Sequence, residues 1–261
     1  MDSATLAGHI RRQTIEQAKR ANVGHIGSAL SVADVLAVLY AGVLRIPSVD
    51  DPDRDRFILS KGHAALALYC ALHGRGTLSM EQLAGYCSDG SLLGAHPEHR
   101  LSGIDFSTGS LGQGLSVGAG AALAARLQGL ERRVFVLVSD AECNEGALWE
   151  AVMFAAHHRL DNLVAIVDEN GQQALGHTRD VLDLSPLADR WAVFGWDVSE
   201  VDGHDHEALR AALQEKSDAP RAVIAQTTFG KGVSYMENEI KWHYWPMSDA
   251  EYASAVTELE S

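Results

Sequence analysis

Two apolar runs constrain the fold more than anything else in this chain: Val134-Phe135-Val136-Leu137-Val138 and Leu163-Val164-Ala165-Ile166-Val167, with one helix-like stretch between them. Strands apolar on both faces belong to a parallel sheet covered by helices above and below. The first run reads as a strand over 133–139 and the second as a strand over 163–167. A helix-like stretch at 115–127 precedes them. The connecting segment, 147–158, is apolar nearly all round and is expected to form a buried crossover helix. Further strands are expected at 196–201 and 222–227, with a helix near 206–216 between them. The fold class is therefore α/β, a doubly wound, mostly parallel sheet with helices on both faces.

The first third is helix-rich. Ser31-Val32-Ala33-Asp34 looks like a capping box before apolar positions at helical spacing, and Ser79-Met80-Glu81-Gln82 repeats that signal. A short apolar run, 57–59, leads into Ser60-Lys61-Gly62-His63 and a helix-like 64–72. No repeat or low-complexity linker interrupts the 261 residues, which fit a single domain with a substantial core, 46% of residues being hydrophobic. The net charge of -14 leaves no basic surplus for a general nucleic-acid binder. Neither a signal peptide nor an apolar run long enough for a membrane span is evident, so a cytoplasmic protein is expected. Cys70, Cys87 and Cys143 have no paired short spacing, which argues against a disulfide framework or zinc site and makes each a free buried thiol.

Ligands of parallel sheets bind at the carboxyl ends of the strands, where Asp140, Asn170 and Thr228 would lie. A carboxylate and an amide oxygen on adjacent strand ends are hard ligands, suited to Mg²⁺ or Ca²⁺ shared with a phosphate. Each has a local alternative: Asp140 as a helix cap, Asn170 as a left-handed turn. The segment Thr108-Gly109-Ser110-Leu111-Gly112-Gln113-Gly114 is a glycine-rich turn opening a helix, lacking both the dinucleotide fingerprint and the P-loop lysine.

Histidines supply the second signal. His25, His63, His96 and His243 each sit beside glycine, proline or aromatic residues in expected loops, where functional groups concentrate. Together they point to a polar pocket able to bond sugar hydroxyls or phosphates and to shuttle protons. His157 and His158 are read instead as ending the apolar helix, and His204 and His206 as flanking the N-cap Asp205.

In this order, these pieces resemble the N-terminal, diphosphate-binding domain of transketolase over about residues 8–246. The ordered set carries the resemblance: Gly24-His25, Ser60 to His63, His96-Pro97-Glu98, Leu111 to Gly114, Asp140 with Glu145-Gly146, Asp168-Glu169-Asn170, Asp202-Gly203-His204, Gly230 to Val233, and Trp242-His243. The resemblance implies thiamine diphosphate, its tail held by Mg²⁺ or Ca²⁺ on Asp140, Asn170 and the backbone carbonyl of Gln172. It places His63, Gly109, Leu111, Ser139, Asp140, Ala141, Glu142, Asn170 and His243 along the cofactor. His25, His63, His96 and His243 become the active-site histidines, and Glu145 an interface glutamate hydrogen-bonded to a partner's catalytic carboxylate. The implied reaction moves a two-carbon ketol unit from a ketose, or ketose phosphate, to an aldose.

Three motifs depart from the family pattern: Ser139 and Ala141 stand where glycines flank the aspartate, Ser110 replaces a proline, and Tyr244 replaces a glycine. The resemblance implies that residues 1–261 form one diphosphate-binding domain. The family's pyrimidine-binding and C-terminal domains are expected on a second subunit, in a heterotetramer. Two alternatives remain: a component of a 2-oxo acid decarboxylase or dehydrogenase, and a non-catalytic, degenerate cofactor-binding subunit.

Overall fold

A computed structural model describes residues 1–260. Five parallel strands form the central sheet: β1 (Arg56–Leu59), β2 (Val134–Ser139), β3 (Leu163–Glu169), β6 (Asp197–Asp202) and β7 (Arg221–Gln226). Their order across the sheet is β1-β2-β3-β7-β6, and every neighbouring pair is parallel. A two-residue antiparallel pair, β4 (Gln172–Gln173) and β5 (Gly176–His177), forms a hairpin just beyond β3.

Alternate side chains of the central strands feed two separate cores. Phe135, Leu137, Val164 and Ile166 join α1 (Ser3–Ala21), α2 (Ile26–Ser31), α3 (Ala33–Val38) and α4 (Ala65–Gly74) on one face. Val134, Val136, Val138, Ala165 and Val167 join α6 (Gly114–Leu127), α7 (Gly146–His157) and α9 (Leu187–Val193) on the other. The sheet is thus doubly wound. The remaining helices are α5 (Met80–Leu83), α8 (Thr178–Val181), α10 (His206–Gln214), α11 (Lys241–Tyr244) and α12 (Asp249–Leu259).

The expected strands and helices fall within a few residues of those formed. Ser79 caps α5 with a reciprocal capping box, and Asp205 caps α10 by accepting from the Glu207 and Ala208 amides. Three expectations need correction. Ser31 is no N-cap: it ends α2, and its hydroxyl donates to the Asp168 carboxylate near the end of β3. The crossover helix α7 buries only one face, through Leu148, Ala151, Val152 and Ala155, while Met153 and Phe154 face outward at 48% and 41% exposure. Cys87 is exposed, unlike the buried Cys70 and Cys143. No helix among the described residues is long and apolar enough to cross a membrane.

Candidate active site at the carboxyl ends of the strands

The register of β2 and β3 sets Ser139 opposite Asp168, so the chain leaves both strands side by side. Asp140 begins a short 3-10 turn (Ala141–Asn144), its carboxylate accepting from the Ala141 amide at 2.8 Å. The second carboxylate oxygen accepts from the Gly171 amide at 2.8 Å, and the Asn170 Oδ1 accepts from the Gln172 amide at 3.0 Å. The residues singled out as hard ligands are therefore joined around one tight bend. Asp140, Asn170 and Gln172 are all buried.

Burial, then the nearby Asp168, push the Asp140 carboxyl up to about 7, against the pull of the two amide donors. A cation would favour its ionised form. Among the described residues no three His, Cys, Asp or Glu side chains are grouped to hold a metal. The donors present are one carboxylate, one amide oxygen and a nearby backbone carbonyl. That set fits a hard cation whose remaining ligands are water and phosphate oxygens.

A cavity of about 330 Å³ lies beside this bend. Its walls include His25, His63, His96 and His243, with Gly109, Leu111, Ser139, Ala141, Glu145, Asn170 and Gln172. These come from distant stretches of sequence, brought together by the strand ends. Two of the proposed cofactor residues lie elsewhere. Asp140 opens on an adjoining cleft with Glu169, Gly171 and His177. Glu142 is fully buried and does not face the cavity; its carboxylate accepts from the Ser60 hydroxyl and from the Gly112 and Ser139 amides. It acts as a clamp, tying the glycine-rich turn to the end of β2.

Three imidazoles meet in the cavity wall, with ring centroids of His25, His63 and His243 5.3–5.4 Å apart. Local backbone geometry places them. His25 adopts a left-handed conformation, φ 61°, ahead of α2, and its amide donates to the His243 carbonyl at 3.0 Å. The two segments meet so closely there that a Cβ on Gly24 would lie 2.4 Å from the Tyr244 carbonyl oxygen, which requires glycine. Phe229, fully buried, stacks parallel to His243 at 6.3 Å. The His63 Nε2 shares a hydrogen bond of 2.9 Å with the Ser28 hydroxyl.

Burial lowers all three histidines. His63 falls to about 2, with Lys61 and His243 adding to the effect, and His243 to about 4, with His25 and Lys61 adding. His25 is lowered by burial and by His96. At neutral pH these rings are uncharged, each offering one donor and one acceptor nitrogen. The Nδ1 atoms of His25 and His243 are buried with no protein partner. His96 and Glu145 stand at the exposed rim.

The departures from the family pattern are accommodated locally. The Ser139 hydroxyl accepts from the Glu142 amide at 3.0 Å, so it serves the 3-10 turn. The Tyr244 hydroxyl donates to the Ala174 carbonyl at 2.8 Å, joining α11 to the β4–β5 hairpin at the cavity edge. Lys61 and Asp168, a fully buried ion pair beneath Asn170, had no role assigned from sequence. The signal was present: lysine inside an otherwise small and apolar stretch is costly to bury unless paired. His204 and His206 do more than flank a cap. Both bond the Asp34 carboxylate, at 2.7 and 2.9 Å, and the His204 Nε2 accepts from the Thr228 amide next to Phe229.

The family model described as transketolase, thiamine diphosphate binding domain, matches residues 3–260. An apulose-4-phosphate transketolase subunit from Phocaeicola vulgatus is 40% identical over 254 residues, covering 95% of this chain and 90% of that protein. A 6-deoxy-6-sulfo-D-fructose transketolase subunit from a Clostridium species is 39% identical over 260 residues, covering 97% and 94%. Among solved structures, transketolase from Campylobacter jejuni superimposes with a TM-score of 0.92 at 31% identity, over 98% of this chain and 42% of that one. The Leishmania mexicana enzyme gives a TM-score of 0.91 at 30% identity, and this chain spans 41% of its length. The chain belongs to the transketolase family, and specifically to its thiamine diphosphate-binding domain, which relatives of similar length carry as a separate subunit.

Proposed function

We propose that this cavity holds the diphosphate end of thiamine diphosphate together with Mg²⁺ or Ca²⁺, and that the chain works as one half of a ketol-transferring enzyme. The convergence of four histidines with Asn170 and Gln172 on one cavity, beside the buried Asp140, carries this reading. Asp140, Asn170 and the Gln172 carbonyl would hold the metal, with Gly109, Leu111, Ser139 and Ala141 along the cofactor. When bound, thiamine diphosphate supplies a thiazolium able to take up the electron pair released by carbon–carbon cleavage.

The protein's own groups bind, orient and move protons. Neutral His25 and His243, with free Nδ1 atoms in the wall, bond sugar hydroxyls without attracting a counter-ion. His63, fixed by Ser28, keeps its Nδ1 for a phosphate or hydroxyl oxygen. His96, at the rim, assists proton transfer where substrate enters. The stacked Phe229 excludes water behind His243.

A second subunit carrying pyrimidine-binding and C-terminal domains would complete the site, with Glu145 at the junction, in a heterotetramer. The naming of similar proteins as transketolase subunits supports the need for a partner chain. Those relatives are named for sugars bearing a phosphate or a sulfonate, so an anionic ketose is the donor class to test first.

The test is ketol transfer from such ketoses to aldoses, assayed with this chain, its partner, thiamine diphosphate and Mg²⁺ together and singly. Activity only in the full mixture is expected. Pyruvate turnover without ketose turnover would replace this reading with the 2-oxo acid one. An assembled complex that binds no thiamine diphosphate with either metal would leave the chain a non-catalytic role.

A further inference from the structure

We infer that Asp168 is a positioning residue that fixes which end of the Asn170 amide faces the diphosphate site. The inference rests on the cofactor reading above.

Asp168 is fully buried near the end of β3 and paired with the equally buried Lys61. One carboxylate oxygen accepts from Lys61, from the Ser31 hydroxyl at 2.8 Å and from the Asn170 Nδ2 at 2.8 Å. The other accepts from the Thr227 hydroxyl. The ends of an amide have nearly the same shape, so contacts alone decide its orientation. A carboxylate paired with lysine only accepts, which requires the NH₂ of Asn170 to point at Asp168. On the far side, the Gln172 backbone N–H only donates, and it meets the Asn170 Oδ1 at 3.0 Å. Both contacts impose the same orientation. The oxygen is left on the side of the histidine-lined cavity that Asn170 borders, with a second lone pair to offer. Reversed, the amide would present N–H groups to a cation, which coordinates oxygen.

Lys61 makes the arrangement possible. The Lys61 ammonium, buried against Asp168, keeps that carboxylate an acceptor without using a metal for the purpose.

The experiment measures Mn²⁺ binding by electron paramagnetic resonance in the assembled complex with thiamine diphosphate, independently of turnover. Asp168→Asn is expected to weaken Mn²⁺ binding roughly tenfold to a hundredfold, the range for groups that orient a metal ligand. Thr227→Val removes a bond to Asp168 that Asn170 does not share; it should lower thermal stability but leave Mn²⁺ affinity within about twofold. Asn170→Asp places a carboxylate, intrinsically a good Mn²⁺ ligand, against Asp168, and is expected to bind poorly. Combining Asp168→Asn with Asn170→Asp restores an amide donor behind an outward oxygen and should recover much of the loss.

Wild-type affinity in Asp168→Asn, or in Asn170→Asp alone, would overturn the inference, as would an exchange no better than its single components. Should Asp168→Asn not fold, Asn170→Asp decides the question alone. A wild-type complex that binds neither Mn²⁺ nor thiamine diphosphate would sink the cofactor reading and this inference with it.

Discussion

His243 shows how a loop residue becomes chemistry. Its ring stacks on Phe229, and its buried Nδ1 meets no protein partner. Burial, aided by His25 and Lys61, holds its pKa near 4. A histidine depressed in this way binds its proton more readily when unfolded. Its contribution to stability is complete above about pH 6.5 and is lost as pH falls through about 4. Melting temperatures between pH 7 and 4.5 should therefore fall more steeply for the wild type than for His243→Asn. Parallel curves would contradict the neutral-imidazole assignment. The histidines were legible in the sequence because each stands beside glycine, proline or aromatic residues. Lys61 and Asp168 were not: 107 residues separate them, and only the closed sheet makes them partners. The resemblance placed Glu142 along the cofactor, but a motif match cannot show that its carboxylate turns back to Ser60 and Gly112.

At the scale of elements, the strands were legible because strands buried on both faces must be apolar throughout, as β2 is from Val134 to Val138. The Ser31 capping signature misled because a serine hydroxyl has several possible acceptors, and here a buried carboxylate is the one it meets. The outward face of α7 misled for a related reason, since apolar residues do occur on surfaces. The glycine-rich turn before α6 has a sharper physical requirement. Gly112 has φ +82°, its amide donates to Glu142, and an added Cβ would lie 2.6 Å from the Glu145 Cβ. Gly112→Ala should destabilise the chain by about 1–3 kcal/mol, read from urea denaturation. An unchanged midpoint would show that the turn relaxes freely.

For the whole molecule, the two cores share one sheet, whose central strands bury alternate side chains into each. Neither core can be exposed without stripping the other face of the same strands. The chain is expected to melt in a single calorimetric transition. Two resolved transitions would argue against the single-domain reading. The α/β class followed from local patterning, whereas the shared cavity depended on sheet order, which no local pattern contains: β7 lies next to β3, bringing Thr227 to Asp168.

The most direct test is calorimetric titration of thiamine diphosphate into the chain assembled with its partner, with and without Mg²⁺, for the wild type and Asp140→Ala. Mg²⁺-dependent binding by the wild type, abolished in a folded Asp140→Ala variant, is the predicted result. Equal affinity in the two proteins would contradict the assignment of Asp140 to the metal.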